Sequence, residues 1–369
     1  MRILIFNTDY PSFLKQLYQQ TQALPKKSFV DQLQIRNQTF FGISDAYPYN
    51  LRLLGHQATE LHVNNVYMQR AWAKAHKHRA LYAWPFPFNP VISFLPFAAP
   101  WYYKILEAQI EHYKPDVTIN HALAEIDARF LRRMKSKLGL LVGQIAAPYP
   151  ADLDFSPYDL MLSSLPNYVQ RFEQAGLRSR LFRLGFDPRT LEQVGSIPRD
   201  IPISFVGSIS AAHARRTQWL EKLCEQLPVK VWGQGVGNVP RTSAIAAAYQ
   251  GPAWGLDMYR ILARSQITLN MHINISENHA NNMRLYEATG MGTLLLTDAK
   301  KNLTDMFTPD REVMTYTDTQ DCIRIAQQLL NDPHHCSHIA LAGQQKTLQA
   351  HNYQQRIKEF IDIVEPLLP

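Results

Sequence analysis

Short apolar runs alternate with longer amphipathic stretches along the whole chain, with glycine, proline and asparagine marking the joints. MRILIFN at the start, VTIN at 117–120, GLLVGQIAAP at 139–148, YDLMLSS at 158–164, IPISFVG at 201–207, QITLNMHI at 266–273 and TLLLT at 293–297 are too short for globular helices. Their nearly continuous hydrophobicity predicts strands buried on both faces. Helical spacing covers 12–24, 29–39, 49–54, 101–113, 166–176, 217–227, 319–331, 336–351 and 353–368, and a further strand is expected at 59–63 after the stop at Gly55. Strands alternating with helices predict an α/β protein with doubly wound parallel sheets. The stretch from Pro188 to Pro202, with Gly195 and Pro198 inside it, has the composition of a linker. It divides an expected first domain, 1–188, from a second, 201–350, with 189–200 as the linker and 351–369 as a terminal helix.

At 369 residues the chain exceeds a usual single core, which agrees with two domains. The formal charge of +7 suits an anionic partner. Lys and Arg are spread along the chain and no nucleic-acid-binding signature appears, so a small anion or a membrane surface is favoured over nucleic acid. Apolar runs never reach the roughly 18 residues of a membrane span, and the start turns polar too early for a secretory leader, so a cytoplasmic protein is expected. Cys224, Cys322 and Cys336 lie far apart with no paired spacing, as structural thiols do.

The region 81–103, LYAWPFPFNPVISFLPFAAPWYY, combines five prolines with many aromatics. It is too interrupted for a helix and too aromatic for a solvated linker. Packing on the core or a partner subunit is one reading; an acceptor wall or a peripheral membrane contact is the other.

The chemistry concentrates at 274–298, NISENHANNMRLYEATGMGTLLLTD. Between the strands at 266–273 and 293–297, Asn281 and Asn282 suit the cap of a short helix at 283–289, ended by Gly290 and Gly292. In such a βαβ unit, ligands bind beyond the carboxyl ends of the strands. Arg284 in the first turn offers charge-assisted donors to an anion such as a diphosphate, while Glu287 can accept both hydroxyl hydrogens of a ribose diol. The competing reading is an exposed i,i+3 pair worth about 0.2–0.5 kcal/mol.

The run NNMRLYEATGMGTLLLTD resembles the nucleotide-sugar motif of GT-B fold glycosyltransferases, in particular the CgeB-like (spore maturation type) branch of the group 1 family. LFRLGFDPR (181–189), VGSISAAHARR (206–216), VWGQGVG (231–237) and QGPAWGLDMYRILARSQITLN (250–270) follow in the order that family shows them. The resemblance implies two Rossmann-like domains facing a cleft, the last helix crossing back to the first. It implies metal-independent, retaining transfer of a hexosyl or related group from a UDP-, GDP- or TDP-sugar, with no cofactor. The donor side would include Gly207, Arg215 or Arg216, Gly233, Trp254 as a base-stacking group, Asn282, Arg284 and Glu287. The acceptor, whether glycan, lipid, peptide or small molecule, is left open.

Two other positions carry candidate chemistry. Asp9, in the strand-end loop Asn7–Pro11 without glycines, and His121, just past the strand at 117–120, are candidates to receive the acceptor proton. A helix-capping role for His121 is the alternative. Retaining relatives often carry Glu-x7-Glu; counting back from Glu287 puts His279 at the first position, with Glu277 two residues early. Either His279 or Glu277 would orient the sugar, and the carboxylate at the anomeric centre stays unassigned. A metal-dependent transferase built on Asp152-Leu153-Asp154 is a rival within enzymes, and a nucleotide-sugar-binding protein without turnover is a rival outside them.

Overall fold

The computed structural model describes residues 1–78, 99–209 and 214–368. By internal contacts the chain forms two units, one of Met1–Phe182 with Glu359–Pro369 and one of Arg183–Lys358. Within the stretch expected as a linker, Arg189–Val194 is a helix, and by its contacts it belongs to the second unit. Of the aromatic region, residues 81–98 lie outside the described ones. Its last residue, Tyr103, is an anchor whose ring stacks on Phe130 at 4.4 Å and whose hydroxyl donates to Asp127 at 2.9 Å. No helix among the described residues is long and apolar enough to cross a membrane.

The first unit holds β1 (Arg2–Asn7), β2 (Gln57–His62), β3 (Val117–Asn120), β4 (Leu140–Gln144), β5 (Leu160–Ser163) and β6 (Ser179–Leu181) in the order β2-β1-β3-β4-β5-β6. Every pairing is parallel. Ile3, Leu4, Ile5 and Phe6 are all buried, as a strand covered on both faces requires. From β1 the chain moves first to one neighbour and then to the other, so the strand order reverses between β1 and β3. That crevice is where such sheets bind ligands.

Four charged side chains are sealed beside the carboxyl ends of β1 and β2. Arg36 donates to Asp9 Oδ1 at 2.6 Å, His62 Nδ1 lies 2.9 Å from Asp9 Oδ2, and His62 Nε2 lies 3.7 Å from Glu60 Oε2. Asn7 adds a 2.6 Å bond to Glu60. Burial alone would raise the carboxyl of Asp9, but the charges of Arg36 and His62 more than reverse this and hold it far below the usual range. Burial would lower His62, yet the carboxylates of Asp9 and Glu60 prevail over it and over Arg36, so its pKa is raised. Glu60 is likewise lowered, its burial outweighed by His62, Arg36 and Asn7.

The second unit holds β7 (Ile201–Val206), β8 (Val229–Trp232), β9 (Tyr249–Gly251), β10 (Ser265–Asn270), β11 (Leu294–Asp298) and β12 (Met314–Tyr316), in the order β12-β11-β10-β7-β8-β9. These pairings are parallel as well. The order reverses between β7 and β10. Ile203, Phe205, Leu269, Leu294 and Leu296 build the core with Trp219, whose ring stacks on Tyr316 at 5.7 Å.

The loops after β7 and β8 meet backbone to backbone. A Cβ on Gly233, where φ is +140°, would stand 2.0 Å from the Gly207 carbonyl oxygen, and one on Gly235, at φ +90°, 1.9 Å from that of Ile209. Glycine at both positions therefore serves loop packing, and the pair of loops is fixed in place by Ile209 N–H donating to Gln234 at 2.7 Å and Asn238 to Ile209 at 2.7 Å.

Two predictions follow from these contacts. Because protonated His62 is stabilised in the folded protein, its contribution is complete below about pH 6.5, the unfolded value, and is lost as pH rises through the raised folded pKa. The melting temperature should fall over that alkaline window and the fall should be smaller in His62→Gln; an identical pH profile in the variant contradicts the network. Gly233→Ala should destabilise by about 1–3 kcal/mol through clash and backbone strain, measured by denaturant unfolding, and a change within 0.5 kcal/mol contradicts the close approach.

Candidate functional site

The reversal between β7 and β10 gathers most of the residues singled out in the second unit. The helix Arg284–Gly290 begins one residue later than the spacing predicts, with Met283 before it already in helical conformation. Asn282 Oδ1 accepts the Leu285 N–H at 3.2 Å, and its amide donates to Asn270 Oδ1 at 2.8 Å. Asn270 in turn donates to Thr297 at 2.8 Å. One asparagine thus ties the helix start to the ends of β10 and β11.

Arg284 and Glu287 form the i,i+3 pair, Nη1 to Oε2 at 3.0 Å, but the pair is not exposed: the side chains are 13% and 7% accessible. Arg284 Nη2 also donates to the carbonyl of Val206, the last residue of β7, at 3.1 Å. Burial raises the pKa of Glu287, and Arg284 opposes that only in part. Two charges kept this far from water need further partners to repay their desolvation. With only seven residues, the helix has a modest dipole, so side chains must supply most of any anion affinity.

The other expected donor-side groups lie in the same unit. Arg216 donates to the Ser208 carbonyl at 2.6 Å and lies over the Phe205 ring at 5.8 Å; burial lowers its pKa. Arg215 is exposed at the start of the helix Ala214–Gln226. Gly207 directly follows β7, its N–H donating to Trp232 at 2.9 Å, and Gly233 presses on it. Trp254 is half-buried just before the helix Gly255–Arg264, whose Met258 sulfur lies 3.4 Å from Arg284 Nη2.

The loop between β10 and the helix carries Glu277 and His279. Residues 276–279 form a tight turn closed by His279 N–H to Ser276 at 2.8 Å, in which Glu277 takes φ 51° and ψ −121°. That geometry belongs to the first central position of a type II′ turn, where glycine is preferred. Glu277 is exposed and its carbonyl accepts from Lys300 at 3.0 Å, whereas His279 is buried and its Nδ1 has no partner. Burial and the charge of Lys301 lower the pKa of His279.

In the first unit, the reversal between β1 and β3 brings the two remaining candidates to one end of the sheet, but in different states. Asp9 is 2% accessible and committed to Arg36 and His62. Its carboxylate is held as an anion by two buried ion pairs, which taking up a proton would break. His121 donates its backbone N–H to Phe6 at 2.9 Å, and its Nε2 lies 3.0 Å from Gln144 Oε1. Tyr47 donates to the same oxygen at 3.0 Å, so the amide oxygen faces both groups and His121 carries its proton on Nε2. Its Nδ1 lone pair is left without a partner, and burial lowers its pKa, with Gln144 opposing.

Asp154 of the DxD triplet is engaged by Arg132 and Ser156. Among the described residues no group of His, Cys, Asp and Glu is arranged to hold a metal ion.

Sequence reasoning missed His272, Asp298 and Lys300. The strand run was read through 273, whereas β10 ends at Asn270 and releases His272 into the site loop. His272 Nδ1 lies 2.6 Å from Asp298 Oδ1, and Lys300 lies 3.2 Å from Asp298 Oδ2. Their signal was positional: Asp298 ends β11 and His272 follows the end of the adjacent β10 by two residues.

Residues 215–362 match a family model described as glycosyl transferase-like. No curated protein matches the chain. Among solved structures, a sucrose-phosphate synthase from Thermosynechococcus elongatus is 12% identical with a TM-score of 0.59, covering 99% of this chain and 98% of that one. Alr3699/HepE of Anabaena, in a complex with UDP and glucose, is 12% identical with a TM-score of 0.58, over 99% of this chain and 100% of its own. AviGT4, a glycosyltransferase involved in avilamycin A biosynthesis, is 14% identical with a TM-score of 0.54 over 88% of each chain. With two six-stranded parallel sheets of matching architecture, the chain has the GT-B glycosyltransferase fold, and most of the region that matches the glycosyl transferase-like family lies in its second unit.

Proposed function

We propose that the protein is a metal-independent, retaining glycosyltransferase of the CgeB-like branch that moves a sugar from a nucleoside-diphosphate sugar to an acceptor held by the first unit. The observation that carries this reading is the buried Arg284–Glu287 pair at the strand-order reversal of the second unit. Glu287 accepts the ribose hydroxyls, and Arg284, with Arg215 and Arg216, faces the diphosphate. As the glycosidic bond breaks, negative charge grows on the departing diphosphate, and these preorganised cations stabilise it. The packed loops that carry Gly207 and Gly233 flank the diphosphate, Asn282 holds the helix start, and Trp254 stacks on the base. Uridine is the first base to test, because the Anabaena HepE structures hold UDP or UDP-glucose.

His279 and Glu277 orient the transferred sugar. His121 is the proton acceptor for the incoming hydroxyl, since burial favours its neutral form and its Nδ1 is unpartnered. The commitment of Asp9 to its ion network favours a second reading, a nucleotide-sugar-binding protein without turnover. Incubation with a bound UDP-sugar separates the two: hydrolysis or transfer supports the enzyme, and an intact donor over many hours with every acceptor class supports the binding protein.

Thermal-shift screening against UDP, GDP, ADP and TDP should give a concentration-dependent stabilisation following RT ln(1 + [L]/Kd) for at least one of them; none for any would remove the donor assignment. Glu287→Gln should weaken that nucleotide by about ten- to a hundredfold, the loss of a hydrogen bond to a charged group. Because burial raises the pKa of Glu287, wild-type affinity should fall as pH drops through it, and the Gln variant should lose this dependence. Equal affinity of both proteins at all pH values would contradict the ribose role.

A further inference from the structure

The helix Pro333–Ala350 turns Cys336, Ile339, Ala340 and Gly343 onto the second unit, its first turn capped by Asp332, which accepts the His335 N–H at 3.0 Å. Where this helix crosses the amino ends of β10 and β11, away from the ends that carry Asn270 and Asp298, lies a cavity of about 250 Å³. Pro333, Ser337 and Leu341 line it and are exposed, so a ligand enters from water. Ala340 and Gly292, both small, leave the room for one.

The polar groups around this cavity both donate and accept. The side-chain amide of Gln266 and the hydroxyl of Ser337 have no hydrogen-bond partner among the described residues. Gln344 donates Nε2–H to the Gly290 carbonyl at 2.9 Å, which leaves its Oε1 as an acceptor. Arg199 reaches the cavity too, but its guanidinium donates to the carbonyls of Ser265 at 2.6 Å, Met291 at 3.4 Å and Gly292. Those oxygens follow the ends of the helices Gly255–Arg264 and Arg284–Gly290, and the partial negative charge of the helix ends offsets the cation.

We infer that this cavity is a binding site for a small neutral polyol of the size of one sugar ring. Hydroxyls give and take hydrogen bonds, as Gln266, Ser337 and Gln344 require, while Leu341 and Ala340 offer an apolar wall to the C–H groups of a ring. An anion drawn to Arg199 would face the three carbonyl oxygens already on it, and a purely apolar ligand would strip water from Gln266 and Ser337 without replacing its bonds. The volume is below the ~300–1,000 Å³ of pockets for drug-sized ligands, which suits one ring rather than a chain. The site is distinct from the Arg284–Glu287 pair yet linked to it. Gln344 and Arg199 hold the last carbonyls of the helix whose first turn carries Glu287, so a ligand on Gln344 bears on the far end of that helix.

Saturation-transfer NMR of the full chain with glucose, galactose, mannose and N-acetylglucosamine, each at millimolar concentration, reads binding directly, and two variants locate it. Ser337→Trp fills the cavity from an exposed position on the helix, and Gln266→Leu keeps most of the side-chain volume while removing its amide. At least one of these sugars is expected to bind the wild type, to lose its signal in Ser337→Trp and to bind about tenfold more weakly in Gln266→Leu. Inorganic phosphate is expected not to compete. No signal from any of the sugars, or a signal equally strong in both variants, overturns the inference, the second result placing the sugar elsewhere on the chain. Displacement by phosphate overturns it in favour of an anion on Arg199. Melting curves show that each variant is folded, and if Ser337→Trp is not, Gln266→Leu alone decides. Failure of every nucleotide to bind removes the donor reading and leaves each of these outcomes intact.

Discussion

The carbonyl of Val206 is the point on which the second unit's site depends. It ends the strand at the order reversal, and its oxygen accepts from Arg284. That bond holds inward a cation from the helix that follows β10, and the cation pairs with Glu287. An isolated buried pair of this kind contributes little to stability, because desolvation offsets most of its Coulomb energy. Its placement where parallel sheets bind ligands gives it a use beyond stability.

Around that bond the site is built by polar ties between strand ends. Asn282, Asn270 and Thr297 form one chain of contacts, and His272, Asp298 and Lys300 form another. Both run across β10 and β11, so the helix start and the loop before it are positioned by rigid strands. Glu277 shows what this demands of the loop: a charged residue is held in a backbone conformation that glycine prefers. The first unit spends its buried charge differently. Asp9, Arg36, His62 and Glu60 neutralise one another, leaving His121 as the group with an unused nitrogen at the corresponding reversal.

The strands were legible because parallel sheets bury both faces: VTIN was read residue for residue as β3, and TLLLT missed β11 by one residue at each end. Boundaries shifted by a residue or more, as at β10, which ends at Asn270 rather than at 273. The strand β9 was not read, because Tyr249–Gly251 is short and only partly buried and carries no apolar run. Arg284 and Glu287 were visible as a pair by spacing, but their burial was not, since it depends on β7, about eighty residues earlier in the chain. The same holds for Asp9: nothing local announces that Arg36 and His62 will enclose it. His272 was hidden inside an apolar run that continues past the true end of its strand.

Hydrogen exchange followed by mass spectrometry, with and without UDP, tests the central claim that the β7–β10 reversal of the second unit holds a nucleoside diphosphate. The account predicts slowed exchange in the peptides spanning 206–209 and 271–290, with the peptides of β1 to β6 unchanged. Saturable binding without protection in those two segments, or with protection confined to the first unit, would contradict it.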